Sequence, residues 1–102
     1  VRFLWRGEDL LVRKGRYPNG SDAWVATRFG EPSLTLTVAM GYKPPPGFVL
    51  IKNYSENEGV LDALVEQHIV EDTKARLDAG FALEGVAVCR ALFDPIPLLS
   101  RR

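Results

Sequence analysis

The chain is poor in the residues from which most catalytic and metal chemistry is built. It has one cysteine, one histidine and one methionine. A lone thiol forms no internal disulfide, so cysteine usage fits a reducing cytoplasm. That thiol, Cys89, sits in the apolar run Val86-Ala87-Val88-Cys89 and reads as a small buried hydrophobe rather than a nucleophile. His68 and Cys89 match no zinc-ligand spacing, so no metal and no cofactor is expected. No apolar run approaches the roughly 20 residues that span a membrane. The opening Val1-Arg2-Phe3-Leu4-Trp5 is too short and too soon charged to read as a signal peptide. The Gly-x-Ser-x-Gly elbow, the Walker pattern and Gly-x-Gly-x-x-Gly are missing too, which removes the commonest hydrolase and nucleotide-binding signatures.

Net charge is zero, which argues against a dedicated polyanion binder, but the charge is unevenly spread. Residues 1–52 hold eight Lys/Arg against four acids, or +4, so the remainder is −4. Such an asymmetry can orient a partner or a second copy of the chain.

What is present reads as one α+β domain over residues 1–102, with a tail from about 94. The first half alternates with a period of two. Phe3 and Trp5 lead into an Arg6-Gly7-Glu8-Asp9 hairpin, then a strand from Leu10 to Tyr17 with Leu10 and Val12 on one face and Arg13 on the other. Pro18-Asn19-Gly20 is a turn, Ala23 to Phe29 a third strand, and Gly30-Glu31-Pro32 its end. Leu34, Leu36, Val38 and Met40 are expected to face the core, with Thr35 and Thr37 outward. Pro44-Pro45-Pro46 makes a stiff connector to a fifth strand, Phe48 to Tyr54.

Ser55-Glu56-Asn57-Glu58 has the capping-box pattern, with Ser55 as helix N-cap and Glu58 reaching back. A helix over about 56–67 follows, with Val60, Leu61, Leu64 and Val65 as its apolar stripe. His68 is placed past its end with φ > 0, and Ile69 folds back onto Leu64. Residues 71–78 fit helix, loop or strand. Phe81 to Leu92 is apolar on both faces and suits an interior strand, ended by Asp94-Pro95-Ile96-Pro97. The expected architecture is a mostly antiparallel twisted sheet of about six strands with one amphipathic helix packed on one face.

The segment from Ile51-Lys52-Asn53-Tyr54-Ser55-Glu56-Asn57-Glu58-Gly59 through Val65 resembles a family of small uncharacterised bacterial and phage proteins. Their middle reads I-K-[DN]-[YW]-S-E-N-E-G before a short helix and a strand with a Val-Cys-Arg-like end, matched by Val88-Cys89-Arg90. Residues 13–20 resemble the family's first hairpin. The resemblance implies a mobile-element origin (phage, plasmid or gene cassette) and assigns no activity to any residue.

Three functional readings follow. The leading one is a non-enzymatic protein-binding or adaptor module, homodimeric, with an interface drawn from Trp5, Trp24, Tyr42, Phe93, Leu98 and Leu99. The second is a nucleic-acid binder using Arg13, Lys14, Arg16, Tyr17 and Trp24, where cations alternate with aromatics. The third is a small enzyme or anion-binding protein with its site at the Ser55–Glu58 helix start.

Overall fold

The computed structural model describes residues 1–78 and 85–98. Four strands follow one another as an antiparallel meander: β1 (Arg2–Trp5), β2 (Glu8–Arg16), β3 (Asp22–Arg28) and β4 (Glu31–Thr35). Two-residue turns close its first and last hairpins, Arg6-Gly7 at φ 48° and 81° and Phe29-Gly30 at φ 53° and 80°. Positive φ at both central residues matches the right-handed strand twist, as in type I′ turns. Phe3, Leu10, Val12, Trp24 and Ala26 all point inward and are buried, as the alternation requires.

The expected single sheet is two. β5 (Phe48–Ile51), β6 (Val70–Leu77) and β7 (Val86–Ala91) form a second, antiparallel sheet in the order β5-β7-β6. The central place of β7 accounts for its apolar residues on both faces. Residues 81–84, the expected start of this strand, lie outside the described residues. The segment with three competing readings is β6, bent by a bulge between Asp72 and Arg76. Its edge is guarded by charge and by Lys74 at φ 75°. Arg76 holds both carboxylate oxygens of Asp72 at 2.9 Å, which keeps that carboxyl below its ordinary range.

The helix differs from its expected form. It is α1 (Val60–Glu66), preceded by a separate 3-10 turn at Ser55–Asn57. Ser55 and Glu58 are not its cap. Ser55 sits at φ 56°, its carbonyl accepts the Glu58 N–H, and neither side chain caps a helix. The physical reason is Gly59, at φ 93°, which breaks the helical path. The cap bond comes instead from Asn53, whose Oδ1 accepts the Leu61 N–H at 2.9 Å. Glu56 turns to Lys52 at 2.7 Å, and that bond lowers its pKa. The far end is a Schellman motif: His68 has φ 60°, its N–H donates to Val65, and the Ile69 N–H donates to Leu64. Gln67 then ties the helix to the meander, exchanging two 2.9 Å bonds with the backbone of Leu4.

One cluster joins all layers. Phe3, Trp24 and Leu36 meet Val49, Ile51 and Cys89 from the second sheet and Val60, Leu61 and Leu64 from α1. The last strand, β8 (Ile96–Pro97), returns to lie parallel to β2, with Ile96 opposite Arg13. The backbone through Leu98 therefore returns to its own domain, while the Ile96 and Leu98 side chains stay exposed.

The cap assignment predicts that Asn53→Ala costs about 1 kcal/mol, the usual value of a lost N-cap bond, while Ser55→Ala changes little. Urea denaturation of the two variants checks this, and equal losses would restore the capping box. Cys89 gives a second prediction. Burial pushes its thiol up to about 12, with the nearby Asp72 charge adding to the effect. The unfolded chain then releases this proton first as pH rises. Stability conferred by the neutral thiol is intact below the ordinary thiol range and falls above it, by up to roughly 1.4 kcal/mol per pH unit. Denaturation midpoints of wild type and Cys89→Ala between pH 7 and 10.5 should diverge in that direction.

Candidate functional site

Where the two sheets meet beyond the ends of β2 and β3, the chain forms a cleft of about 430 Å³. One wall is the β2–β3 turn. Its shape comes from Asn19, whose Oδ1 accepts the Ser21 N–H at 2.9 Å and the Ser21 hydroxyl at 2.6 Å. Asn19 also donates to the Met40 carbonyl at 3.0 Å, which draws the following loop across the turn. Gly20, at φ 87°, leaves room for the Lys43 side chain there.

The opposite wall is Pro44–Pro46, Gly47 and Phe48. It is anchored by Phe48 N–H to Pro45 O at 3.1 Å and Ala91 N–H to Gly47 O at 2.8 Å. The third side is Phe93, Asp94 and Pro95, where the chain returns to β2. The floor is Trp24, fully buried, with the Phe93 ring tilted across it at 5.3 Å. The Trp24 Nε1 has no hydrogen-bond partner, so one polar group is left unsatisfied beneath the cleft.

Charge converges on this apolar recess. The two-residue repeat of β2 sends Lys14 and Arg16 to the cleft side and Arg13 to the outer face. Lys14 is held by Asp94 at 2.6 Å. Arg16 stands opposite Asp22 in the ladder, yet no ion pair forms between them, and none forms at Lys43 among the described residues. Three cations thus face two carboxylates, and two of the cations are available to a ligand.

The structure separates the residues nominated from sequence. Of Arg13, Lys14, Arg16, Tyr17 and Trp24, only Lys14, Arg16 and Trp24 line the cleft. Trp24 is a correction: with no exposed surface it neither stacks bases nor anchors an interface, because Phe93 and the joint at Leu36–Thr37 cover it. Tyr17 is half-buried, its hydroxyl bonded to Thr37 Oγ1 at 3.1 Å. Trp5 is also committed internally, stacked on Phe3 and packed against Gly59. Phe93 is half-buried, Tyr42 and Leu98 are exposed, and Leu99 lies outside the described residues. The helix start is not drawn into this cleft: α1 has seven residues, Asn53 already takes its second amide, and neither Ser55 nor Glu58 lines the cleft.

Sequence reasoning missed Asp22, Lys43, Phe48 and Asp94. Lys43 and Asp94 each precede a proline segment that reads as a plain connector, and only the return of residues 93–98 to β2 gathers them. Among the described residues no three His, Cys, Asp or Glu side chains form a metal-binding group, and no helix is long and apolar enough to cross a membrane. No family model, curated protein or solved structure matches this chain.

Phe93 is the lid of the Trp24 site. Phe93→Ala should cost about 2–3 kcal/mol, less than truncation of a fully buried aromatic because the ring is only half-buried. It should also shift tryptophan emission to the red as water reaches the indole. Fluorescence-monitored denaturation reads both effects.

Proposed function

We propose that the chain is a non-enzymatic protein-binding module whose basic cleft takes an extended acidic segment of a partner. The observation that carries this reading is the pair Arg16 and Lys43, two cations without an ion-pair partner at the mouth of an apolar recess. A carboxylate-bearing peptide offers what the walls lack, a negative charge for each free cation and apolar side chains for Phe48, Phe93 and the prolines. Rigid proline walls also lower the ordering cost of binding.

A phosphate backbone fits less well. Its charge recurs at every nucleotide, and a local excess of a single positive charge does not match a run of phosphates. The aromatic floor is covered, so no stacking platform is offered to bases. The one hydroxyl lining this cleft, that of Ser21, donates to Asn19 Oδ1 at 2.6 Å rather than to a base, so the constellation of nucleophile, base and orienting group that hydrolytic chemistry needs is not assembled there.

Selection of a phage-displayed random peptide library on the whole chain tests the reading. Enrichment of Asp/Glu-rich peptides is expected, with affinity lowered on the order of tenfold by Arg16→Ala plus Lys43→Ala. Binding should weaken with salt. Enriched peptides indifferent to the double substitution would overturn the assignment. So would tighter, equally substitution-sensitive binding of a single-stranded dT20 oligonucleotide, which would move the cleft to nucleic acid.

A further inference from the structure

One acidic segment already lies at the cleft, and it belongs to the chain itself. After β7 the backbone passes Phe93 and runs from Asp94 to Leu98 along the edge of β2. β1 occupies that edge from Glu8 to Leu11, and the Val12 N–H donates to the Val1 carbonyl. β8 begins at the next residue, parallel to β2, with Ile96 opposite Arg13 and Pro97 opposite Lys14. Residues 94–98 are thus a strap over the part of β2 that β1 leaves open, the part that carries Lys14 and Arg16 to the cleft. Pro95 and Pro97 hold the residues before them, Asp94 and Ile96, out of helical geometry and keep the strap extended.

The contacts of the strap are unequal. Asp94 gives its carboxylate to Lys14 at 2.6 Å, and Pro95 is buried at the cleft wall. The other three residues hold little. Ile96 is 56 % and Leu98 39 % exposed, and Pro97 is exposed and has no N–H to give to a ladder. The ladder with β2 is two residues long, fastened by the Leu98 N–H to the Lys14 carbonyl at 2.8 Å. The Asp94 side chain is 82 % exposed, so its ion pair with Lys14 is of the kind that water screens. A carboxylate followed by a compact apolar residue on an extended backbone is also the chemistry that suits Arg16, Lys43 and the proline wall. The strap is a weakly held copy of such a ligand.

Its removal changes the site in one direction. Lys14 becomes a third available cation, and the local excess rises from one positive charge to two, since Asp22 alone remains against Lys14, Arg16 and Lys43. The β2 backbone at Arg13 and Lys14 is opened to a strand that pairs over more than two residues, on toward Arg16. Main-chain pairing at a sheet edge supplies affinity, and the side-chain contacts beside it supply selectivity.

We propose that residues 94–98 are a built-in pseudo-ligand, and that a partner's acidic segment binds by displacing them. The incoming segment lies parallel to β2, with its carboxylate on Lys14 and a proline or small apolar residue in the place of Pro95. The displacement rests on the cleft's being an acidic-peptide site, and adds the mode of entry, the strand direction and the motif. The probe is a fluorescein-labelled peptide of the strap's own sequence, Leu-Phe-Asp-Pro-Ile-Pro-Leu, with Asn in place of Asp as the weaker-binding control. On the whole chain, Asp94→Ala with Pro95→Ser removes the two contacts of the internal competitor. With the strap open about 10 % of the time or less in the wild type, its release tightens probe binding about tenfold or more. A lock produces the opposite change. A Cβ at Gly15 meets the Leu98 side chain at 3.4 Å, so Gly15→Cys with Leu98→Cys bridges the strap to β2, while Cys89 is buried away from the oxidant. The oxidised protein should bind the probe about tenfold or more weakly than the same protein reduced, and dithiothreitol should restore binding. Both states carry the same substitutions, so damage to the fold does not produce the difference. Equal probe affinity of oxidised and reduced protein, or of wild type and the strap variant, overturns the displacement. Binding of Asp/Glu-rich peptides to the locked form through Arg16 and Lys43 overturns the displacement alone and leaves the cleft reading standing. Failure of every acidic peptide to bind the strap variant and the reduced protein overturns both.

Discussion

The two sheets are joined through the backbone at one short stretch, Leu36 to Val38. The Leu36 N–H donates to Trp24 in the first sheet, and its carbonyl accepts the Lys52 N–H next to the second. Two residues later the Val38 N–H reaches Leu50. Between them the Thr37 hydroxyl accepts the Trp24 N–H at 3.0 Å. One tripeptide thus satisfies ladder groups of both sheets, and the largest core side chain, Trp24, is clamped beside it. Buried backbone groups must find partners, so this joint sets where the second sheet stands.

The cleft follows from that joint. With the second sheet placed by residues 36–38, the loop carrying Lys43 and the prolines has to bridge back over the β2–β3 turn. The Phe93–Leu98 return closes the remaining side, and the Leu98 N–H to Lys14 O bond fastens it. The walls are covalently distant and meet only because two sheets are held at a fixed offset. The cleft brings available cations against apolar walls.

Several exposed strand edges are protected. Gln67 pairs with the edge backbone of β1, Pro32 interrupts β4, and the charged bulge at Asp72–Arg76 bends β6 away from pairing. These devices discourage strand-to-strand addition.

Local order was legible in the residues themselves. The first three strands, their turns, the inward set Phe3, Leu10, Val12 and Trp24, the His68 helix end and the interior character of β7 all follow from periodicity and turn chemistry, which act over a few positions. Thr37 shows where such reasoning stops. Alternation assigns it to water, yet it is buried, because the chain leaves one sheet for another at that residue and its hydroxyl replaces a ladder partner. Ser55 shows the same limit at the helix, where a well-formed capping pattern loses to Gly59 and to Asn53. Of the site, Lys14 and Arg16 could be named from sequence, but their pairing with Lys43 and Asp94 could not. The sequence alone determined the first three strands, the turns between them and their apolar faces, since those properties are set by neighbours along the chain. Tertiary structure alone decided that there are two sheets, that Trp24 is floor rather than surface, and which distant charges share a cleft, because these depend on contacts between residues tens of positions apart.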